Sequence, residues 1–322
     1  MRTRVVVGSM VTLACVTGLR AQTLDELRDQ VRASTRQAHM NAFLAGFVDQ
    51  AENLELSSGR LDVDGEGGME LTTINLPVQR DLPLADLGTE LHIEGSLSWF
   101  SARVRHEDIW SGAVPGGETS LRTRWQGGSA YLGVGPRLAL ANQLHLSPLL
   151  SGALAYTENV AYYGGPGAAG SATLLDGILF NWHSTSAAIG GALRLDHELP
   201  VGDSHRLSSL ARYDLRRFQG FHATDSAQEE PETLHRLLLR TALAGPTGAT
   251  LLERPLDWNA HVAWSRFLGE NDDALGFRDY FEIGAGVAMP VTVGGTTLLT
   301  LSGAVMIGED VSGWSFGGSL AF

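Results

Sequence analysis

Three sets of residues have types that could do chemistry: a histidine beside serines, arginines scattered through extended segments, and acids gathered between them. His183-Ser184-Thr185-Ser186 holds the parts of a nucleophilic hydrolase. On a strand, however, side chains sharing a face lie two residues apart, so His183 is aligned with Thr185 rather than with a serine. No other Ser/His/Asp set is visible by spacing, although distant residues can converge. Enzyme activity is therefore not expected. Gly269-Glu270-Asn271-Asp272-Asp273 concentrates acids but lacks EF-hand spacing, so neither a metal nor a cofactor is expected.

The arginines acquire meaning only through the elements that aim them. From about residue 53 onward the sequence alternates with a period of two. Leu144, Leu146, Leu150, Leu154 and Tyr156 alternate with His145, Ser147, Ser151 and Ala153. Phe281, Ile283, Val287 and Met289 alternate with Tyr280, Glu282, Gly284 and Gly286. The second face carries Gly, Ala and Ser with isolated charges, where a soluble sandwich tends to carry Lys, Glu and Thr. Segments of about 9–11 alternating residues fit a transmembrane β-barrel, with one face on lipid and one on the lumen.

Strands are expected at 54–63, 69–79, 88–103, 129–139, 144–156, 184–198, 204–216, 233–243, 257–267, 277–289, 296–307 and 312–322. Twelve is an even number, as bacterial barrels require. If the chain ends in the periplasm, the short connections 140–143, 199–203 and 290–295 are periplasmic. The long ones, 104–128, 157–183 and 217–232, are then extracellular. Two connections fit this rule poorly: 244–256 is long for a periplasmic turn and 308–311 is short for an external loop. Pro136 and Pro148 fall inside proposed strands, where they remove ladder hydrogen bonds. Leu174 to Trp182 is read as loop or as an extra strand segment.

In such a barrel the polar faces give a lumen set: Glu94, Arg137, Arg194, Asp196, Arg206, Arg212, Asp214, Arg236, Arg240, His261 and Glu282. Arg194, Arg212 and Arg240 come from consecutive strands and could form an arginine ladder that selects anions. The alternative is that Asp196, Asp214 and acids of the N-terminal helix neutralise them in a filled lumen. Trp99, Tyr156, Trp258, Trp264, Tyr280 and Trp314 suit interfacial aromatic girdles. Glu107, Asp108, Glu158, Asp225, Glu229, Glu230, Glu232, Glu270, Asp272, Asp273, Glu309 and Asp310 make the outer loops acidic.

Composition agrees. The 322 residues carry 23 basic and 36 acidic side chains, a formal net charge of −13, and every basic residue is Arg. That balance excludes a nucleic-acid partner. Mean hydropathy is zero, the value expected when half of each strand is polar. Past residue 20 no apolar run approaches the roughly 18 residues of a spanning helix.

The N-terminus divides in two. Residues 1–21 read as a signal peptide: Arg2 and Arg4, an apolar stretch from Val5 to Val16, and a small-residue cleavage site at Ala21. The single cysteine, Cys15, lies within it. Residues 22–52 read as an amphipathic helix, opened by a Thr23/Glu26 capping box and about 40 Å long at ~1.5 Å per residue. At that length it could span the ~30 Å hydrocarbon thickness from inside a pore, with Arg28, Arg32 and Arg36 facing lumen carboxylates; the alternative is a periplasmic helix packed on a turn or a partner. Residues 53–322 form the barrel.

The terminal Phe322, preceded by Trp314, Phe316 and Leu320 on one face, resembles the C-terminal signal by which outer-membrane barrels are recognised for assembly. With the long N-terminal helix and about twelve strands, the chain resembles the translocator barrel of autotransporters. More specifically, it resembles the solitary outer-membrane autotransporter-like barrels, which lack a passenger. That resemblance implies an outer-membrane location and contact with membrane lipid, lipopolysaccharide and the barrel-assembly machinery. It also implies a structural role or a narrow, plugged pore. A surface adhesin acting through the long loops is the alternative.

Overall fold

The computed structural model describes residues 23–37, 45, 46, 48, 49, 58–63, 69–84, 89–106, 119–269, 275–292 and 296–321. A two-residue period gives extended chain with two unlike faces, and twelve strands adopt it. They are β1 (Ser58–Val63), β2 (Met69–Leu84), β3 (Thr89–His106), β4 (Ser120–Ala141), β5 (Leu144–Gly164), β6 (Trp182–Val201), β7 (His205–Phe221), β8 (Glu232–Leu251), β9 (Arg254–Leu268), β10 (Asp279–Thr292), β11 (Thr296–Ile307) and β12 (Val311–Ala321). Each strand pairs antiparallel with its neighbours in sequence, and β1 closes on β12, from Ser58 opposite Phe316 to Val63 opposite Val311. Closure leaves no edge strand unpaired, which a bilayer requires.

The two faces separate as the alternation predicts. Leu76, Leu97, Leu150 and Ile189 point outward and are more than 60% exposed, forming part of an apolar outer belt. Trp99, Tyr156 and Trp314 are also exposed on this face. Tyr280 is a correction to the girdle set: it is 2% exposed and packs edge-on against Phe277 inside the barrel. It shares parity with Glu282, so it had to face inward.

Strand lengths exceed expectation. The longest, β4, has 22 residues, about twice what a bilayer crossing needs. Its polar loop-end half, with Arg122, Arg124 and Gln126, falls in the segment 104–128 expected as loop, yet it is strand. Glu158 likewise sits within β5, not in a loop.

Connections fall at two ends. At the turn end, β4–β5, β6–β7 and β8–β9 are joined by turns of two or three residues. Segment 244–256, expected to be a long connection, is strand apart from Leu252 and Glu253, both at positive φ (53° and 62°). Pro246 lacks an N–H, and pairing between β8 and β9 skips from Pro246 to Thr250 before resuming. Pro136 and Pro148 stay within β4 and β5. The β4–β5 pairing lapses between Val134–Leu150 and Leu138–Leu146, the stretch where both prolines lie.

At the loop end the connection 308–310 is short, as expected. Segment 174–181 is not a strand, and Trp182 opens β6. Helix α2 (Ala168–Leu175) leads into a turn whose Ile178 and Phe180 are fully buried. Apolar residues in this loop drive it inward. With Val31, Ala45 and Val48 they join Phe100, Trp125, Phe218 and Phe267 of the strands in one apolar core filling the loop-end half of the barrel.

Helix α1 (Leu24–Gln37) begins with the expected capping box: Thr23 N–H donates to Glu26 Oε2 (2.9 Å) and Glu26 N–H to Thr23 Oγ1 (3.3 Å). The expected single helix through residue 50 lies partly outside the described residues, as do residues 1–22 and Phe322.

Candidate functional site: the closed lumen

Every residue of the expected lumen set lies at inward parity on its strand. Glu94 on β3, Arg212 and Asp214 on β7, Arg236 on β8, His261 on β9 and Glu282 on β10 are buried. The structure sorts them into groups.

The first group crosses the lumen at mid-height. Arg212 donates Nη1 to Glu94 Oε2 (2.8 Å) and Nη2 to Glu94 Oε1 (2.7 Å). Its Nε and Nη2 also reach Asp214, both at 2.8 Å. Tyr131 donates its hydroxyl to Glu94 Oε1 (2.6 Å) and accepts from Arg212 Nη2 (3.1 Å). Gly133 makes room: a Cβ there would lie 2.8 Å from the Tyr131 hydroxyl and 3.0 Å from Glu94 Cγ.

The second group brings in the N-terminal segment. Asp49 is fully buried between Arg216 and Arg236. Arg236 Nη1 lies 3.0 Å from Asp49 Oδ2, and its Nη2 lies 3.7 Å from Asp214 Oδ2. The Arg216 guanidinium stands over the Tyr131 ring, 5.1 Å from its centroid. Contacts thus close a circuit from Glu94 through Arg212, Asp214, Arg236, Asp49, Arg216 and Tyr131. It contains three carboxylates and three guanidiniums, the condition for burying charges in a low-dielectric interior.

The third group lies towards the turn end. His92 Nδ1 is 2.6 Å from Asp81, and Arg137 bridges Asp81 (3.2 Å) and Glu90 (3.0 Å). Arg194 forms a forked pair with Asp196 (2.8 Å). His261 Nε2 meets Glu282 Oε1 at 2.8 Å in a separate buried pair. Arg206 is exposed near the turn, and Arg240 lies two residues nearer the turn end than Leu238, the partner of Arg212.

In these contacts the arginines are paired with carboxylates. Arg194 and Arg212 do stand opposite each other in register. Each is nonetheless clamped by a carboxylate two residues along its own strand, on the same face. The acids that neutralise the set come from the strands and from Asp49, which lies within the segment 22–52 expected as the N-terminal helix.

The arginines of α1 are a correction. They meet the loop end, not wall carboxylates of the lumen. Arg28 donates to the carbonyls of Thr173 (2.7 Å) and Asp176 (3.0 Å), covering the C-terminus of α2. Arg32 Nε donates to Asp225 Oδ2 (2.8 Å), and Arg36 Nε lies 3.2 Å from Glu230. The Asp225 carboxylate, with Asp29, raises the pKa of Arg32 above its ordinary value despite burial. The chain therefore enters at the loop end, held by loops 165–181 and 222–231, and reaches mid-lumen by Asp49.

Sequence reasoning missed Asp49, Tyr131, Arg216, His92 and Asp81 as members of this site. Arg216 had a signal, lying two residues from Asp214 on one face. Asp49 had none, because its partners are 167 and 187 residues away. His183 faces outward, its ring 3.1 Å from the Thr224 hydroxyl, while Ser184 is buried on the inner face. Of the residues expected to form an assembly signal, Trp314 and Phe316 are outward and exposed, and Leu320 pairs in register with Leu299.

A family model described as the solitary outer membrane autotransporter beta-barrel domain matches residues 66–293. No curated protein matches the chain. Among solved structures, the chain is similar to the β-domain of the Bordetella autotransporter BrkA, at 15% identity and TM-score 0.44, covering 82% of this chain and 94% of that one. It is similar to the translocator domain of NalP from Neisseria meningitidis, at 13% identity and TM-score 0.44, covering 93% and 99%. The transport unit of AIDA-I from Escherichia coli follows, at 12% identity and TM-score 0.42, covering 82% and 86%.

Proposed function

We propose that this chain, which belongs to the solitary outer-membrane autotransporter β-barrel family, is a self-plugged barrel that closes its own lumen with its N-terminal segment. Residues 1–21 serve as the export signal. The loop end faces outward, so that the start of α1 lies at the cell surface. The role is structural and non-catalytic, with conduction held shut at rest.

One observation carries the reading: Asp49, from outside the barrel wall, supplies the third carboxylate of a buried circuit whose other charged members belong to strands. A plug held by charge matching resists being pushed out, because its departure leaves Arg216 and Arg236 short of a counter-ion. The cross-lumen Glu94–Arg212 contact adds a second closure that belongs to the wall alone.

Planar-bilayer conductance of the refolded mature chain tests this. The intact protein is expected to give no steady current. Asp49→Ala alone should give brief openings, and Asp49→Ala with Glu94→Ala stable steps. A steady open conductance from the intact protein would refute the plug. Orientation is read separately. Asp25 is exposed on α1, and Asp25→Cys should react with an impermeant maleimide on intact cells.

A further inference from the structure

The outer wall holds a second concentration of arginine that the plug does not use. On β3 the outward positions run Leu97, Trp99, Ser101 and Arg103 towards the loop end; on β4 they run Leu132, Ala130, Gly128, Gln126, Arg124 and Arg122. Leu97 and Leu132 are about 60% exposed and belong to the apolar belt. The arginines are the first cationic positions above it on both strands. Arg103 is four residues beyond Trp99, about 13 Å along a strand rising ~3.3 Å per residue. Strand tilt of about 35–45° reduces that to roughly 10 Å of height, the level of lipid headgroups.

The register places like charges directly opposite one another. Arg103 pairs with Arg124, and Arg105 stands at the position opposite Arg122. Cross-strand pairs of like charge are destabilising; Arg103 and Arg124 form one, with Arg122 two residues further along the same face of β4. Arg103 and Arg122 are exposed and Arg124 half-buried. Among the described residues no carboxylate lies within ion-pair distance of these three. Two outward acids at neighbouring register positions are engaged elsewhere: Glu70, opposite Arg103, pairs with Arg60 at 3.1 Å, and Glu158 accepts from Gln126. Arg124 Nε is steadied by the Ser101 hydroxyl at 3.2 Å. Tyr162, opposite Arg122, is 68% exposed and amphipathic, a side chain suited to the membrane interface.

We propose that Arg103, Arg122 and Arg124, with Tyr162 beside them, form a binding site for the phosphate groups of a phosphorylated glycolipid headgroup in the outer leaflet. Guanidinium forks bind phosphate oxygens in pairs. A headgroup with two phosphates relieves the repulsion between opposed arginines, and its acyl chains lie along the belt below. The site rests on the outward placement of the loop end, which the Asp25→Cys labelling scores independently.

The test uses the mature chain in detergent micelles, with added bisphosphorylated lipid A as probe and native mass spectrometry as readout. The wild type should bind lipid A. Phosphate-free lipid A and inorganic phosphate at equal concentration should each fail to compete, which separates a lipid headgroup from a free anion. The triple variant Arg103→Gln/Arg122→Gln/Arg124→Gln should bind at least about tenfold more weakly, the loss of one or more charge-assisted bonds. Arg217→Gln, an exposed outward arginine on β7, should bind as the wild type does. Heat-modifiable gel migration confirms that each variant is folded; should the triple variant not fold, the single Arg103→Gln and Arg122→Gln variants carry the comparison. Binding unchanged in the folded variants, or equal binding of phosphate-free lipid, would overturn the proposal.

Discussion

Glu94 on β3 and Arg212 on β7 meet across the lumen through two parallel hydrogen bonds of 2.8 and 2.7 Å. Four strand positions separate their strands around the wall, so the contact is a brace and not a neighbour pair. A forked guanidinium–carboxylate bond of this kind fixes direction as well as distance. Glu94→Gln should destabilise the barrel by about 3–5 kcal/mol, because Arg212 is then buried with less than its counter-charge. Replacing both, Glu94→Gln with Arg212→Met, should cost less than the two single changes added. Urea unfolding in lipid vesicles, followed by tryptophan fluorescence, measures the difference. Additive losses would show that the two do not act as a pair.

Asp49 extends the same logic to the plug. Asp49→Asn keeps the shape and removes the charge that Arg216 and Arg236 share. The segment around residues 45–49 should loosen while the wall stays closed through Glu94 and Arg212. Limited proteolysis should therefore cut the N-terminal segment faster in this variant, with heat-modifiable migration unchanged. An unaltered cleavage rate would mean that packing alone retains the segment.

Packing is tested at Gly46. A Cβ at this position would stand 2.8 Å from Leu275 Cγ and 3.0 Å from Leu275 Cδ2. Leu275 is buried among the loop-end core, so it has little room to retreat. Gly46→Leu should overpack the core and cost about 1–3 kcal/mol. Adding Leu275→Ala should recover part of the loss, which thermal unfolding of the two variants can read.

How far the sequence carried this picture depends on the range of the signal. Parity along a strand is local, so the inward placement of Arg212, Asp214 and Glu282 was legible without any structure. So was the capping box at Thr23 and Glu26. The pairing Glu94–Arg212 was not, because nothing in the spacing says which inward residues meet across the lumen. Strand ends were hidden for a different reason. Arg122, Arg124 and Glu158 break the apolar pattern where β4 and β5 rise past the membrane, so chemistry that marks a loop in most sequences here marks strand. Loop 165–181 stayed open between loop and strand because its apolar residues Ile178 and Phe180 imitate a strand while they pack into the loop-end core.

Arg32 and Asp225 give a contrasting case. Their bond joins α1 to loop 222–231 at 2.8 Å, with the Arg32 side chain 31% exposed. Partly solvated ion pairs contribute only about 0.2–1 kcal/mol. Asp225→Asn should therefore lower stability little and leave conductance closed, while freeing the start of α1 at the loop end. Faster labelling of an Asp25→Cys probe in that background is the expected result. Open conductance would instead place the seal at the helix, away from Asp49.

The last strand carries the final prediction. Trp314 and Phe316 project from β12 on the outer face, more than half exposed, and Phe316 lies opposite Ser58 where the barrel closes. Neither side chain belongs to the loop-end core, so changing them removes no interior packing. Trp314→Ser with Phe316→Ser should then affect refolded stability in detergent only modestly. Within cells the same face is what assembly machinery would read in an unfolded chain, before lipid covers it. The double variant should accumulate unassembled in the periplasm, although it refolds in vitro. Fractionation of cells, compared with refolding yield in detergent, separates the two effects. Equal loss in both would assign these aromatics to barrel stability, whereas loss only in cells assigns them to recognition.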